Sequence, residues 1–99
     1  MNINLNKDFV KTFRRIAKQD TKAVKYIRTL WLENELDCID FDDYHGSEKE
    51  KKIRLKAKKM KDATLINYYL DFYDGDTSIL SKRTIKNLTK KEKELLDIE

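Results

Sequence analysis

Apolar residues recur at helical spacing along almost the whole chain. Phe9, Phe13, Ile16 and Ala17 fall at i, i+4, i+7 and i+8, the pattern of one buried face. Asn6 stands where an N-cap is needed, and Leu5 and Val10 flank it as a hydrophobic staple, so the spacing predicts a first helix starting near Asn6. Ala23, Val24, Ile27, Leu30 and Trp31 repeat the pattern after Asp20-Thr21, either of which can cap a second helix that runs to about Glu35. From Leu36 to Gly46 the periodicity lapses. Asp37, Asp40, Asp42 and Asp43 interleave there with Cys38, Ile39, Phe41 and Tyr44, the pattern of an acidic connector.

Ser47-Glu48-Lys49-Glu50 has the form of a capping box, and Glu48–Lys52 and Glu50–Arg54 are favourable i, i+4 pairs. No strong stop follows until Asp74-Gly75, which gives a central helix of about 27 residues, roughly 40 Å long at 1.5 Å per residue. Its first half is charged on most faces. Its second half is dense in Leu65, Ile66, Tyr68, Tyr69, Leu70, Phe72 and Tyr73. Asp62, at the change of character, can cap a new helix and divide it. Gly75 suits the left-handed residue past a helix end. A further helix is expected over Ser78 to Leu88, and Thr89-Lys90-Lys91-Glu92 is a second capping box that opens a short terminal helix.

These elements predict an all-α fold, a compact bundle of four to five helices with one long central helix, in a single domain over residues 1–99. The expected core includes Phe9, Phe13, Ile16, Ile27, Leu30, Trp31, Leu65, Tyr69, Phe72, Ile85 and Leu88. A central helix of that length exceeds the width of a small domain and is compatible with a homodimer. Composition agrees: there is no proline and only two glycines, too few turn residues for an all-β chain. The single cysteine excludes an internal disulfide and fits a reducing compartment. No apolar run approaches the roughly 20 residues that span a bilayer, and Met1 to Lys7 lacks the apolar stretch of a signal peptide. A cytoplasmic protein without membrane attachment is expected. The abundance of Lys, Asn and Ile follows AT-rich codons, as in low-GC bacteria, their phages and plasmids.

Charge changes the picture more than composition does. The net charge is only +4, but it is laid out in blocks. Residues 1–28 carry +6, residues 29–46 carry −6, residues 47–63 carry +5, residues 64–76 carry −3 and residues 77–99 carry +2. Lys7, Lys11, Arg14 and Lys18 form one basic stripe; Lys22 and Lys25 follow on the second helix; Lys51, Lys52, Lys56 and Lys59 form another region. Such surfaces suit a phosphate backbone, whose contacts add affinity and salt dependence without sequence information. Lys outnumbers Arg by 17 to 5, and for any one stripe a solvated face is the simpler reading, since charge runs alone are weak evidence. The acidic connector offers the opposite surface. Asp37, Asp40, Asp42, Asp43 and Tyr44, with Tyr68 and Tyr73, form a candidate protein-contact face.

Motif tests narrow the chemistry. Ile16 to Leu30 resembles a helix-turn-helix in outline, but its connection is about three residues short and lacks the turn glycine, so a plain helical hairpin is expected. In Leu65 to Leu88 the motif's buried positions would fall on Asp74, Asp76 and Ser81. Leu88-Thr89-Lys90-Lys91-Glu92 resembles the opening of helix-turn-helix output domains of bacterial regulators, with too few residues after it for a recognition helix. Cys38 and His45 lack an orienting partner and an oxyanion site, and a small buried cysteine with an exposed loop histidine is expected. The aspartate spacings fail the calcium-loop pattern, and one Cys with one His cannot complete a zinc site. No metal, cofactor or catalytic residue is expected. Two functions follow as expectations. One is a nucleic-acid-associated regulator of a phage or mobile element. The other is a protein-binding inhibitor or adaptor aimed at a host protein.

Overall fold

The computed structural model describes residues 6–39 and 48–98. They form helices α1 (Lys7–Gln19), α2 (Thr21–Asp37), α3 (Glu48–Lys59), α4 (Asp62–Tyr73), α5 (Lys82–Asn87) and α6 (Lys90–Leu95), with a 3₁₀ turn at Thr77–Ile79 and no strand among the described residues. The fold is the expected all-α bundle. Caps fall largely where the pattern put them. Asn6 Oδ1 accepts from Phe9 N at 2.7 Å, Asp20 caps α2, and Thr89 with Glu92 closes a complete capping box. Leu5 and Ser47, the expected staple and cap residues, lie outside the described residues. The helix expected from Ser78 starts instead at Lys82, because Asp76 caps the 3₁₀ turn and Ser81 accepts from Thr84 N at 3.3 Å.

The expected long central helix divides into α3 and α4 at Met60-Lys61. Asp62 is not a cap there; it is the first residue of α4. The physical reason comes from α2. Arg28 donates to the carbonyl oxygens of Ala57 and, at 2.9 Å, Met60, and pairs with Asp62 Oδ1 at 3.2 Å. One guanidinium thus satisfies terminal carbonyls of α3 and meets the acid at the positive end of α4. The reason for expecting a dimer, a helix longer than its own domain, falls away with the division.

These contacts also set direction. Arg28 lies beside Asp62, while Asn34 donates to the hydroxyls of Tyr68 at 2.6 Å and Tyr73 at 2.7 Å. Helices α2 and α4 therefore run parallel. Helix α1 runs antiparallel to both: Phe13 stacks on Tyr69 at 5.9 Å and Arg14 bonds Asn67 at 2.9 Å. The hairpin α1–α2 turns on the single residue Asp20. Between these helices lies a core of Phe13, Ile16, Ile27, Trp31, Leu65, Ile66, Tyr69 and Leu70, completed by Leu80 and Leu96 from the C-terminal segment. Phe9, Leu30, Ile85 and Leu88 pack against it half-buried. Phe72, expected in the core, is 73% exposed. Leu65, Ile66, Tyr69 and Leu70 already define the inward face of α4, and the 100° step carries Phe72 to its edge. Cys38, expected buried, is exposed at the end of α2.

Asp74 and Gly75 both take left-handed backbone, at φ 57° and 63°. A Cβ at Gly75 would lie 2.8 Å from Leu70 Cδ2 and 2.9 Å from Phe9 Cε1. Gly75→Ala is expected to cost about 2–3 kcal/mol, from the left-handed strain and the displacement of the buried Leu70 and half-buried Phe9 side chains. A fall in the urea midpoint with an unchanged m-value checks it.

Candidate nucleic-acid interface

The site is built around Asp20, which is 4% exposed. Its Oδ1 accepts from Ala23 N at 3.1 Å as the cap of α2. Its Oδ2 accepts from Ser81 N at 2.8 Å, drawing the segment before α5 against the α1–α2 corner. Burial disfavours the charged form, but the Ser81 and Ala23 amides and the Thr84 and Ser81 hydroxyls outweigh it and hold the carboxyl below its usual range. A second tie lies beyond α5. Glu92 Oε1 accepts from Thr89 N at 2.8 Å in the capping box, while Oε2 takes the Arg15 guanidinium at 2.5 Å. The Thr89 amide first, then Arg15, lower the Glu92 pKa.

These two carboxylates leave an open groove of about 880 Å³ between the α1–α2 corner and α5. Arg15, Gln19 and Lys22 line one side, Lys82, Arg83 and Asn87 the other, and Ile16 and Leu88 contribute apolar lining. A second groove of about 480 Å³ runs between α1 and α4, lined by Lys11, Arg14, Arg15 and Lys18 with Ala63, Ile66 and Asn67. Arg15 lines both, so the two grooves are neighbours along α1. The combined surface presents Lys11, Arg14, Arg15, Lys18, Lys22, Lys82 and Arg83. Its two lining acids, Asp20 and Glu92, are already hydrogen-bonded. Cations with side-chain amides and hydroxyls along an open channel are the chemistry that holds a phosphate backbone.

The structure therefore unites only part of the basic pattern. Lys11, Arg14, Lys18 and Lys22 join one surface. Lys7 is exposed in the first turn of α1, and Lys25 is exposed on α2 outside both grooves. Lys51, Lys52, Lys56 and Lys59 are exposed on α3, which packs on α2 away from the grooves. Lys51 lies 3.9 Å from Glu48, and Lys56 covers the Trp31 ring at 5.5 Å. Arg15, Lys82 and Arg83 are not among the stripes that helical spacing gives, since no spacing within one helix joins α1 to α5. Of the acidic candidates, Asp37 is exposed at the end of α2, while Asp40, Asp42, Asp43 and Tyr44, like His45, lie outside the described residues. Tyr68 and Tyr73 are half-buried and share Asn34 as donor. No group of three or more His, Cys, Asp or Glu side chains among the described residues is arranged to hold a metal ion, and no described helix is long and apolar enough to cross a membrane.

Set against known proteins, the chain matches no family model, no curated protein and no solved structure. The functional reading therefore rests on the geometry.

Proposed function

We propose that this protein binds nucleic acid through its phosphate backbone, as a small cytoplasmic regulatory or accessory factor that performs no catalysis. The observation that carries this reading is the convergence of Arg15, Lys22, Lys82 and Arg83, from three different helices, on one groove, with a second basic groove beside it. A single unpaired stripe is what any solvated helix shows. Here, cations from α1, α2 and α5 line one groove; Arg15 is paired with Glu92 and Asp20 with two backbone amides, and Lys22, Lys82 and Arg83 line the same groove. The AT-biased composition fits a low-GC bacterium or one of its phages or plasmids.

Titration against random double-stranded DNA and RNA tests the reading. Affinity is expected to fall at least tenfold between ~50 and ~200 mM salt, as released counterions require when several phosphates are neutralised. Little difference between unrelated sequences is expected, because backbone contacts carry no base information. No binding at the lower salt would overturn the reading.

A further inference from the structure

The C-terminal turns of α2 and α4 are acidic and aromatic. Because α2 and α4 run parallel, their C-termini, with the negative ends of both macrodipoles, lie together. A stable fold places cations there. Helices α1, α3, α5 and α6 do so, with Lys18, Lys59, Lys86 and Lys93 among their last-turn bases. The last turns of α2 and α4 contain no base. They carry Glu35, Asp37 and Asp71 instead.

On this unfavourable electrostatic ground stands the most exposed large apolar side chain of the described residues. Phe72 is 73% exposed, its ring 5.1 Å from that of Tyr68. Tyr68 is not free to fold over it, since Asn34 holds its hydroxyl together with that of Tyr73. Tyr73 in turn stacks on buried Tyr69 at 5.3 Å. The exposed ring is thus the outer member of an aromatic series anchored in the core. Burial first, and the nearby Glu35 carboxylate among lesser causes, raise the Tyr68 pKa, which places that acid beside the patch.

We propose that this Phe72–Tyr68 face docks an arginine-rich segment of a protein partner, with guanidinium groups stacked on the rings and paired with Glu35, Asp37 and Asp71. Charge complementarity selects the occupant. A polyanion is repelled by these carboxylates, and a purely apolar partner would bury them unpaired. A guanidinium offers a planar face to an aromatic ring and a fork to a carboxylate. It also supplies a cation of the kind that the last turns of α2 and α4 do not carry themselves. The surface is separate from the basic grooves, so the proposal stands or falls apart from phosphate binding.

The test uses the full chain and a fluorescent arginine–glycine repeat peptide, with lysine–glycine and glutamate–glycine peptides as comparisons. The arginine peptide is expected to bind most tightly and the glutamate peptide not at all. Phe72→Ala is expected to weaken the arginine peptide about five- to thirtyfold, the loss of a desolvated cation–π contact. Asp71→Asn should weaken it in the same direction. Since Phe72 is exposed, its replacement leaves the fold intact, which circular dichroism verifies. Lys22→Glu with Lys82→Glu should leave peptide binding no weaker. Equal affinity of wild type and Phe72→Ala, or no binding by wild type, overturns the proposal. So does light scattering that shows self-association abolished by Phe72→Ala, which assigns the face to a second copy. Competition by single-stranded oligonucleotide that depends on Phe72 would assign it to nucleobases and overturn it as well.

Discussion

Asp20→Ala is expected to destabilise the fold by about 2–4 kcal/mol, from the loss of a helix cap together with a half-buried amide left without its acceptor. The two effects act at different places. Ala23 N loses its bond at the start of α2, and Ser81 N loses its bond at the approach to α5. In a chain of this size the change corresponds to a fall of the thermal midpoint on the order of 10–20 °C. Asp20→Asn retains one carbonyl oxygen and can serve only one of the two amides, so it is expected to fall between wild type and Asp20→Ala. Thermal denaturation of the three proteins checks this order.

The same residue predicts a pH dependence. Its hydrogen bonds, opposed by burial, hold the folded-state pKa below the ordinary value of 3.8. A carboxyl whose pKa is depressed by folding contributes stability that is complete above the unfolded value. That contribution disappears as pH falls through the folded value. Wild-type stability should therefore decline in the acid range below about 4, and Asp20→Asn should show a shallower decline. Denaturant midpoints at neutral and acid pH measure the difference. An identical acid slope in the two proteins would show that Asp20 is not held ionised by its partners.

The second large effect concerns the channel. A triple replacement of Lys22, Lys82 and Arg83 by glutamate is expected to lower nucleic-acid affinity by roughly two to three orders of magnitude near ~100 mM salt. Each cation engaged with duplex phosphate contributes about 0.9 to the slope of log affinity against log salt, so the slope should also become shallower. All three residues are exposed, and their replacement should leave stability within about 0.5 kcal/mol per site. Lys51→Glu with Lys52→Glu is the internal comparison. Those residues lie on α3, outside the grooves, and a smaller loss is expected. Equal losses from both sets would show that affinity follows net charge and not the groove.

The legible parts of this molecule are those whose physics is local. Asn6, Asp20 and Thr89 cap helices through bonds to amides three residues on. Ile16, Ile27 and Leu65 are buried because helical spacing places them on one face. The start of α5 was harder to read, because Asp76, Ser78 and Ser81 all offer side-chain oxygens within a few residues. Phe72 departs from the expected core for a related reason: an aromatic residue near Tyr69 has the spacing of core until the inward face of α4 is fixed by its neighbours.

By itself, then, the sequence determined that this is an all-helical chain, where most of its helices begin, and that its charge is segregated. Only the tertiary structure decided that the long central segment divides, that Arg15 joins Lys22, Lys82 and Arg83 around one channel, and that Phe72 faces solvent at an acidic end. The reason is the reach of the interactions. Caps and helical faces depend on residues within one or two turns. The deciding contacts link Arg28 to Ala57, Asp20 to Ser81 and Arg15 to Glu92, residues 29, 61 and 77 positions apart. Spacing within a helix carries no record of such partners, and the channel exists only where they meet.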